Sequence, residues 1–326
     1  MNKYTKIGLT ALAASLVSVS AANAGAVTAS ASASMNTEGH SGEQLDGGTT
    51  FSMANSVTLA GSGEMDNGLT VSVSFEMDQG TGNNSSKGFD NHSVSISSDE
   101  LGTLTLAGHG GSTSASKIDT TAAGDMWDNF DEMTIGGTTI ANAVKTSGTG
   151  NNSIFYASPD LMDGLNITLS YNPQVANGGK ESESGYGINY TGIEGLSVSY
   201  AQTDIETNVA GTSGDNTVLK ASYAYGPVTV SYSTMEQDVS TTSSAGETDS
   251  YQISYTVSDE LSVSYGAETH EQGDKSVDTE IDGISVSYTT GGMTISAAMQ
   301  SAEDLNHDTG SKFDVDYWAL GASFAF

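Results

Sequence analysis

GLTVSVSFEM, residues 68–77, alternates without a break: Leu69, Val71, Val73, Phe75 and Met77 fall on one side, Thr70, Ser72, Ser74 and Glu76 on the other. A period of two marks a strand with one apolar and one polar face. The polar face here carries mostly small hydroxyl residues, where a soluble sandwich would show Lys and Glu. That division suits a wall with apolar surroundings outside and a crowded, water-filled space inside.

The pattern repeats in both directions. Upstream lie AVTASASAS (26–34), with Ala outward, and TTFSMANSVTLAG (49–61), with Phe51, Met53, Val57 and Leu59 on one face. Downstream follow HSVSISS (92–98), GTLTLAG (102–108), SIFYASP (153–159), GLNITLSYN (164–172), SGYGINYT (184–191) and GLSVSYAQTD (195–204). Then come TVLKASYAY (217–225), VTVSYSTME (228–236), TDSYQISYTV (248–257), LSVSYGAETH (261–270), TEIDGISVSYT (279–289), MTISAAMQS (293–301) and FDVDYWALGASFAF (313–326). These make sixteen segments.

The gaps alternate in length. Those at 35–48, 78–91, 109–152, 173–183, 205–216, 237–247, 271–278 and 302–312 are long and polar. Those at 62–67, 99–101, 160–163, 192–194, 226–227, 258–260 and 290–292 are tight. Long loops at one end and short turns at the other, with an even strand number, describe an outer-membrane barrel. Pro159, Pro173 and Pro227 fall at strand ends or turns, where a missing N–H is tolerated. The sequence therefore predicts an all-β fold: a 16-stranded antiparallel transmembrane β-barrel. A sandwich gives no reason for connections sorted in this way.

Composition narrows the function. The chain carries 40 acidic residues against 9 Lys, no Arg and no Cys. That balance argues against nucleic acid, whose phosphates need Lys and Arg, and against docking on an anionic lipid surface. Residues 1–24 read as a secretory signal: Lys3 and Lys6, an apolar run, then Ala22-Asn23-Ala24 before Gly25. Removing it takes away two of the nine Lys and no acid, leaving 7 Lys against 40 acids, a formal charge of −33 for 25–326. No later run of 18 apolar residues follows.

At the last strand the pattern becomes specific. ALGASFAF ends on Phe326, with Phe324, Ala322, Leu320 and Trp318 on the same face. The residues from 25 to 326 resemble the Gram-negative general porins, most nearly the alphaproteobacterial type. The resemblance covers the strand count, the loop alternation, GTLTLAG with its Gly-rich exit, and Asp125-Met126-Trp127-Asp128 in a long third loop after the fifth strand. It implies an outer-membrane channel for passive diffusion of small hydrophilic solutes. It also implies a homotrimer, and a terminal Phe326 read by the barrel assembly machinery. The loop at 109–152 is expected to fold into the pore and constrict it. Such porins set Arg or Lys on the wall opposite an acidic third loop; this chain has no Arg.

The residues assign the constriction as follows. Asp119, Asp125, Asp128, Asp131 and Glu132 crowd the third loop, accompanied by Lys117 and Lys145. Parity turns Lys220 inward, between outward Leu219 and Ala221. A surplus of acid in a narrow channel attracts cations, so a cation preference is expected. Trp127 and Phe130 are expected to anchor the loop on the inner wall. Asp278, Glu280 and Asp282 alternate on one face and, read inward past a bulge at Gly283, would extend an acidic vestibule. The tyrosines at 171, 190, 200, 232, 255, 265 and 288 read as outward. His40, His92, His109, His270 and His307 read as exposed loop residues. No cofactor and no resident metal are expected. Acidic loops offer oxygen ligands suited to Ca2+, but without EF-hand spacing. No Ser-His-Asp or Cys-His set is legible, so no enzyme is expected. The reading from a different class is a secreted or surface-attached β-rich structural protein such as an adhesin.

Overall fold

The computed structural model describes residues 17–19, 27–43, 45, 48–78, 89–140, 151–173, 180–208, 213–241 and 245–326. The first half of the wall is built from β1 (Val27–Gly42), β2 (Thr49–Glu64), β3 (Thr70–Asp78), β4 (Asn91–Ser98), β5 (Gly102–His109), β6 (Ser153–Ala157), β7 (Leu165–Asn172) and β8 (Lys180–Tyr190). The second half is β9 (Leu196–Thr207), β10 (Gly214–Tyr225), β11 (Val228–Val239), β12 (Gly246–Thr256), β13 (Leu261–Gln272), β14 (Thr279–Thr290), β15 (Met293–Glu303) and β16 (Val315–Ala325). Each pairs antiparallel with the next, and β16 pairs with β1 from Val315↔Gly42 to Ala325↔Ser32. The wall is thus closed, as the sequence predicts, and has no open edge.

The seam between first and last strands runs to the final residue. Phe326 donates its N–H to the carbonyl of Ala31 at 2.9 Å and accepts from the N–H of Ala31 at 3.1 Å. Short Val17–Val19 adds an antiparallel pairing to Val27–Ala29. The rest of the segment read as an export signal lies outside the described residues.

The outer face follows the alternation. On β12, Tyr251, Ile253 and Tyr255 are exposed; on β11, Val230 and Tyr232; on β2, Phe51, Met53 and Val57. This band is the surface a lipid bilayer covers. Beyond it, toward the long connections, the outward positions of β9 to β16 turn acidic. Registers set Asp204 opposite Asp215, Asp215 opposite Asp238, Glu236 opposite Glu247, Glu247 opposite Glu271 and Glu280 opposite Glu303.

Two expectations are corrected. Strand β1 continues through Gly42, so residues 35–42 belong to the wall and not to the first loop. Glu280 and Asp282 face outward, not into a vestibule: their neighbours Thr279 and Ile281 are buried on the opposite face, and β14 pairs with β13 with no register shift at Gly283. Straight period-two counting through Gly283 puts both acids on the face of Ile284 and Val286.

Candidate functional site

Between β5 and β6 the chain leaves the wall, and its residues 113–140 fold against the polar face of the strands. The contacts advance strand by strand. The N–H of Ser114 donates to Ser170 Oγ on β7 at 2.9 Å, and that of Ala115 to Thr203 Oγ1 on β9 at 3.4 Å. Lys220 Nζ on β10 donates to the carbonyl of Thr120 at 2.6 Å. The N–H of Ala122 reaches Ser233 Oγ on β11 at 2.8 Å, and that of Ala123 reaches Ser250 Oγ on β12 at 2.9 Å. Asn129 then donates to Gln300 Oε1 on β15 at 2.9 Å, and its carbonyl accepts from His40 Nε2 on β1 at 2.8 Å. The hydroxyl residues of the polar face thus satisfy loop N–H groups that the turns within the loop leave over. The segment forms an arc over the wall from β7 round to β1.

On β13 the contact is a carboxylate. Glu268, 1% exposed, accepts the N–H of Met126 and that of Trp127, each at 3.1 Å, and also the Thr121 hydroxyl. These bonds hold a short 3-10 turn, Met126–Asn129, entered through Asp125 with φ 59°. Asp125 Oδ1 accepts the N–H of Thr121 at 2.9 Å and closes the turn that precedes it. His270 stands beside Glu268, Nε2 to Oε2 at 3.4 Å, with its ring 4.6 Å from that of Trp127. Its Nδ1 lies 2.9 Å from the Thr248 hydroxyl.

Trp127 and Phe130 are buried, at 2% and 0% exposure, in one cluster with Ile135, Ile140, Ile281, Leu305, Phe313, Val315 and Tyr317. Ile135 and Ile140 belong to a small hairpin, Thr134–Ile135 against Thr138–Thr139. The cluster joins the loop to β14, to β16 and to the connection between β15 and β16.

Asp119, Asp125, Asp128 and Asp131 are half-buried and Glu132 and Lys117 exposed. Asp125 and Asp119 are the acids whose charges act on Lys220. Lys145 lies outside the described residues. Among the described residues no group of three or more His, Cys, Asp or Glu could hold a metal ion.

The histidines correct the sequence reading. His270 is 2% exposed and His307 9%, and His40 is a loop contact. Glu268 was also missed as a site residue. Its signal was present in LSVSYGAETH: with Val263 and Tyr265 outward, positions 266, 268 and 270 must point the other way.

A family profile described as Gram-negative porin matches residues 8–326. The chain belongs to the Gram-negative porin family. Solved structures agree on the fold. An anion-selective porin from Comamonas acidovorans superposes with a TM-score of 0.70 at 17% identity, over 92% of this porin and 99% of that chain. OmpF of Salmonella typhi, solved with daunomycin, gives 0.70 at 15% identity, over 95% and 100%. A mutant of the Rh. blastica porin gives 0.66 at 16%, over 92% and 100%. No curated protein sequence matches the porin. Its family and barrel place it in the outer membrane as a channel.

Proposed function

We propose that this porin passes ions and small hydrophilic solutes by passive diffusion, prefers cations, and owes that preference to residues 109–152 acting as the constriction. The observation that carries the reading is the arc of backbone hydrogen bonds tying Ser114 to Asn129 onto inward side chains of β7 to β1. A segment so fixed occupies cross-section that water and solutes would otherwise fill. It carries five acids, Asp119, Asp125, Asp128, Asp131 and Glu132, along with Lys117, past wall residue Lys220, whose Nζ it holds at the Thr120 carbonyl; Lys145, assigned to the same constriction, lies outside the described residues. Selectivity in a wet channel follows the sign of the charges at its narrowest point. One neighbour of the same fold is an anion-selective porin, so the barrel alone does not decide the sign.

Single-channel recording in planar bilayers under a salt gradient tests this. The wild-type protein should show stepwise ohmic conductance and a reversal potential on the cation side. Asp119, Asp128 and Asp131 changed together to Asn should move the potential toward zero with the unit conductance nearly kept. An unchanged potential removes the loop acids from the ion path.

The further expectations belong to the same reading: export through residues 1–24, delivery by the assembly machinery through the strand ending at Phe326, and a homotrimer in the lipid. The uncharged outer face of β1 to β7, including Ala29, Ala31, Ala33, Met53, Val57, Leu104, Leu106 and Leu169, supports the trimer.

A further inference from the structure

We propose that three successive inward positions of β13, Gly266, Glu268 and His270, form a dock that fixes residues 121–127 and thereby sets the width of the channel. The second half of this statement rests on the constriction reading above; the first half does not. Each position meets a different part of the loop. A Cβ on Gly266 would stand 2.7 Å from that of Ala123, so only a residue without one leaves room for the loop to press on the strand. Glu268 takes two loop N–H groups and one loop hydroxyl. His270 lays its ring on Trp127. Elsewhere along the arc the bonds to the loop backbone go to neutral hydroxyls or come from Lys220, His40 and Gln252. Glu268 is the one carboxylate in the series among the described residues. Bonds to a charged acceptor are about twice as strong as neutral ones. A carboxylate this buried is tolerated where its donors are aimed at it. It is a positioning residue: it touches the loop, and the loop would touch the solute.

The test uses the absence of cysteine from the chain. Ala122→Cys places a single thiol in the docked segment, at a position 8% exposed. In folded protein its labelling by a small methanethiosulfonate should be slow. Added Glu268→Ala should raise the rate about 10- to 100-fold, the factor expected for losing a charge-assisted bond. Gly266→Val, which leaves every hydrogen-bonding group in place, should also raise it. Glu38→Gln is the control, since Glu38 is another buried inward acid but is bonded to Asn36, Thr50 and Tyr317. Heat-modifiable gel migration reports that the barrel has closed in each variant. Faster labelling with larger unit conductance supports the whole proposal. Faster labelling with unchanged conductance keeps the dock and sinks the constriction reading. Unchanged labelling in both β13 variants overturns the dock, and so does an equal effect from Glu38→Gln.

Discussion

Lys220 is a wall cation facing the loop, and its value can be estimated. A unit charge about 5 Å from an ion in water contributes about 0.8 kcal/mol, or about a fourfold change in local ion occupancy. With the charge removed, cations gain that factor and anions lose it, so Lys220→Met should increase the cation-to-anion permeability ratio by up to about sixteenfold, read from the reversal potential. A fall in that ratio would mean that the bond to Thr120 matters more than the charge. His307 offers a pH dependence outside the wall. It lies in the connection between β15 and β16, and its Nδ1 donates to the carbonyl of Val277 at 3.0 Å. Burial, first among the causes, holds its pKa below the ordinary imidazole value. The folded loop thus keeps His307 neutral where the unfolded chain would protonate it. The stabilisation is complete above about pH 6.5 and declines as pH falls toward the depressed value. Amide protection across 304–310, the exchange rate relative to that of an unstructured peptide at the same pH, should fall below about pH 6, and His307→Gln should flatten that dependence.

The elements show what period-two reading can and cannot deliver. Strand alternation made the sixteen strands legible, and the interval 109–152 matches the end of β5 at His109 and the start of β6 at Ser153. Lys220 was also legible, because parity alone decides its side. Glu268 was passed over, and His270 was read as an exposed loop residue. Their importance comes from a loop more than a hundred residues away, which no local pattern reports. Glu280 and Asp282 were misplaced by invoking a bulge at Gly283 that the register does not contain. Trp127 belongs to the loop element and supports it by packing. Trp127→Ala at a fully buried site costs about 3–5 kcal/mol. That cost falls on the docked loop, since the strand ladder does not depend on it. The expected outcome is a barrel that still shifts on heating in a gel, with larger and noisier unit conductance. Loss of the folded gel form would show instead that the loop cluster supports the wall.

At the scale of the whole molecule the charge is lopsided. The formal net charge is −31, and acids stand directly opposite one another on the outer face from β9 to β15. Like charges in that arrangement oppose strand pairing. They cost less as salt shortens the reach of the field, from about 30 Å at 0.01 M to about 8 Å at 0.15 M. The temperature at which the folded gel form is lost should therefore rise across that range. A temperature that does not move would mean that these carboxylates are already neutralised. The opposite flank, without charge, gives a test of the proposed trimer: if it forms there, Ala31→Glu should leave a heat-modifiable monomer where the wild type runs as a larger species in detergent.

The arc of loop contacts has one more consequence, and it concerns time. Its last contacts, His40 on β1 and Tyr317 on β16, lie on the two sides of the seam where the ends of the chain meet. That pair of surfaces does not exist until the first and last strands have found each other, the slowest kind of pairing because it closes the longest stretch of chain. The loop therefore cannot reach its final place before the seam shuts. The contacts to β7 through β13 can form earlier, so closing the seam completes a loop that is already partly held.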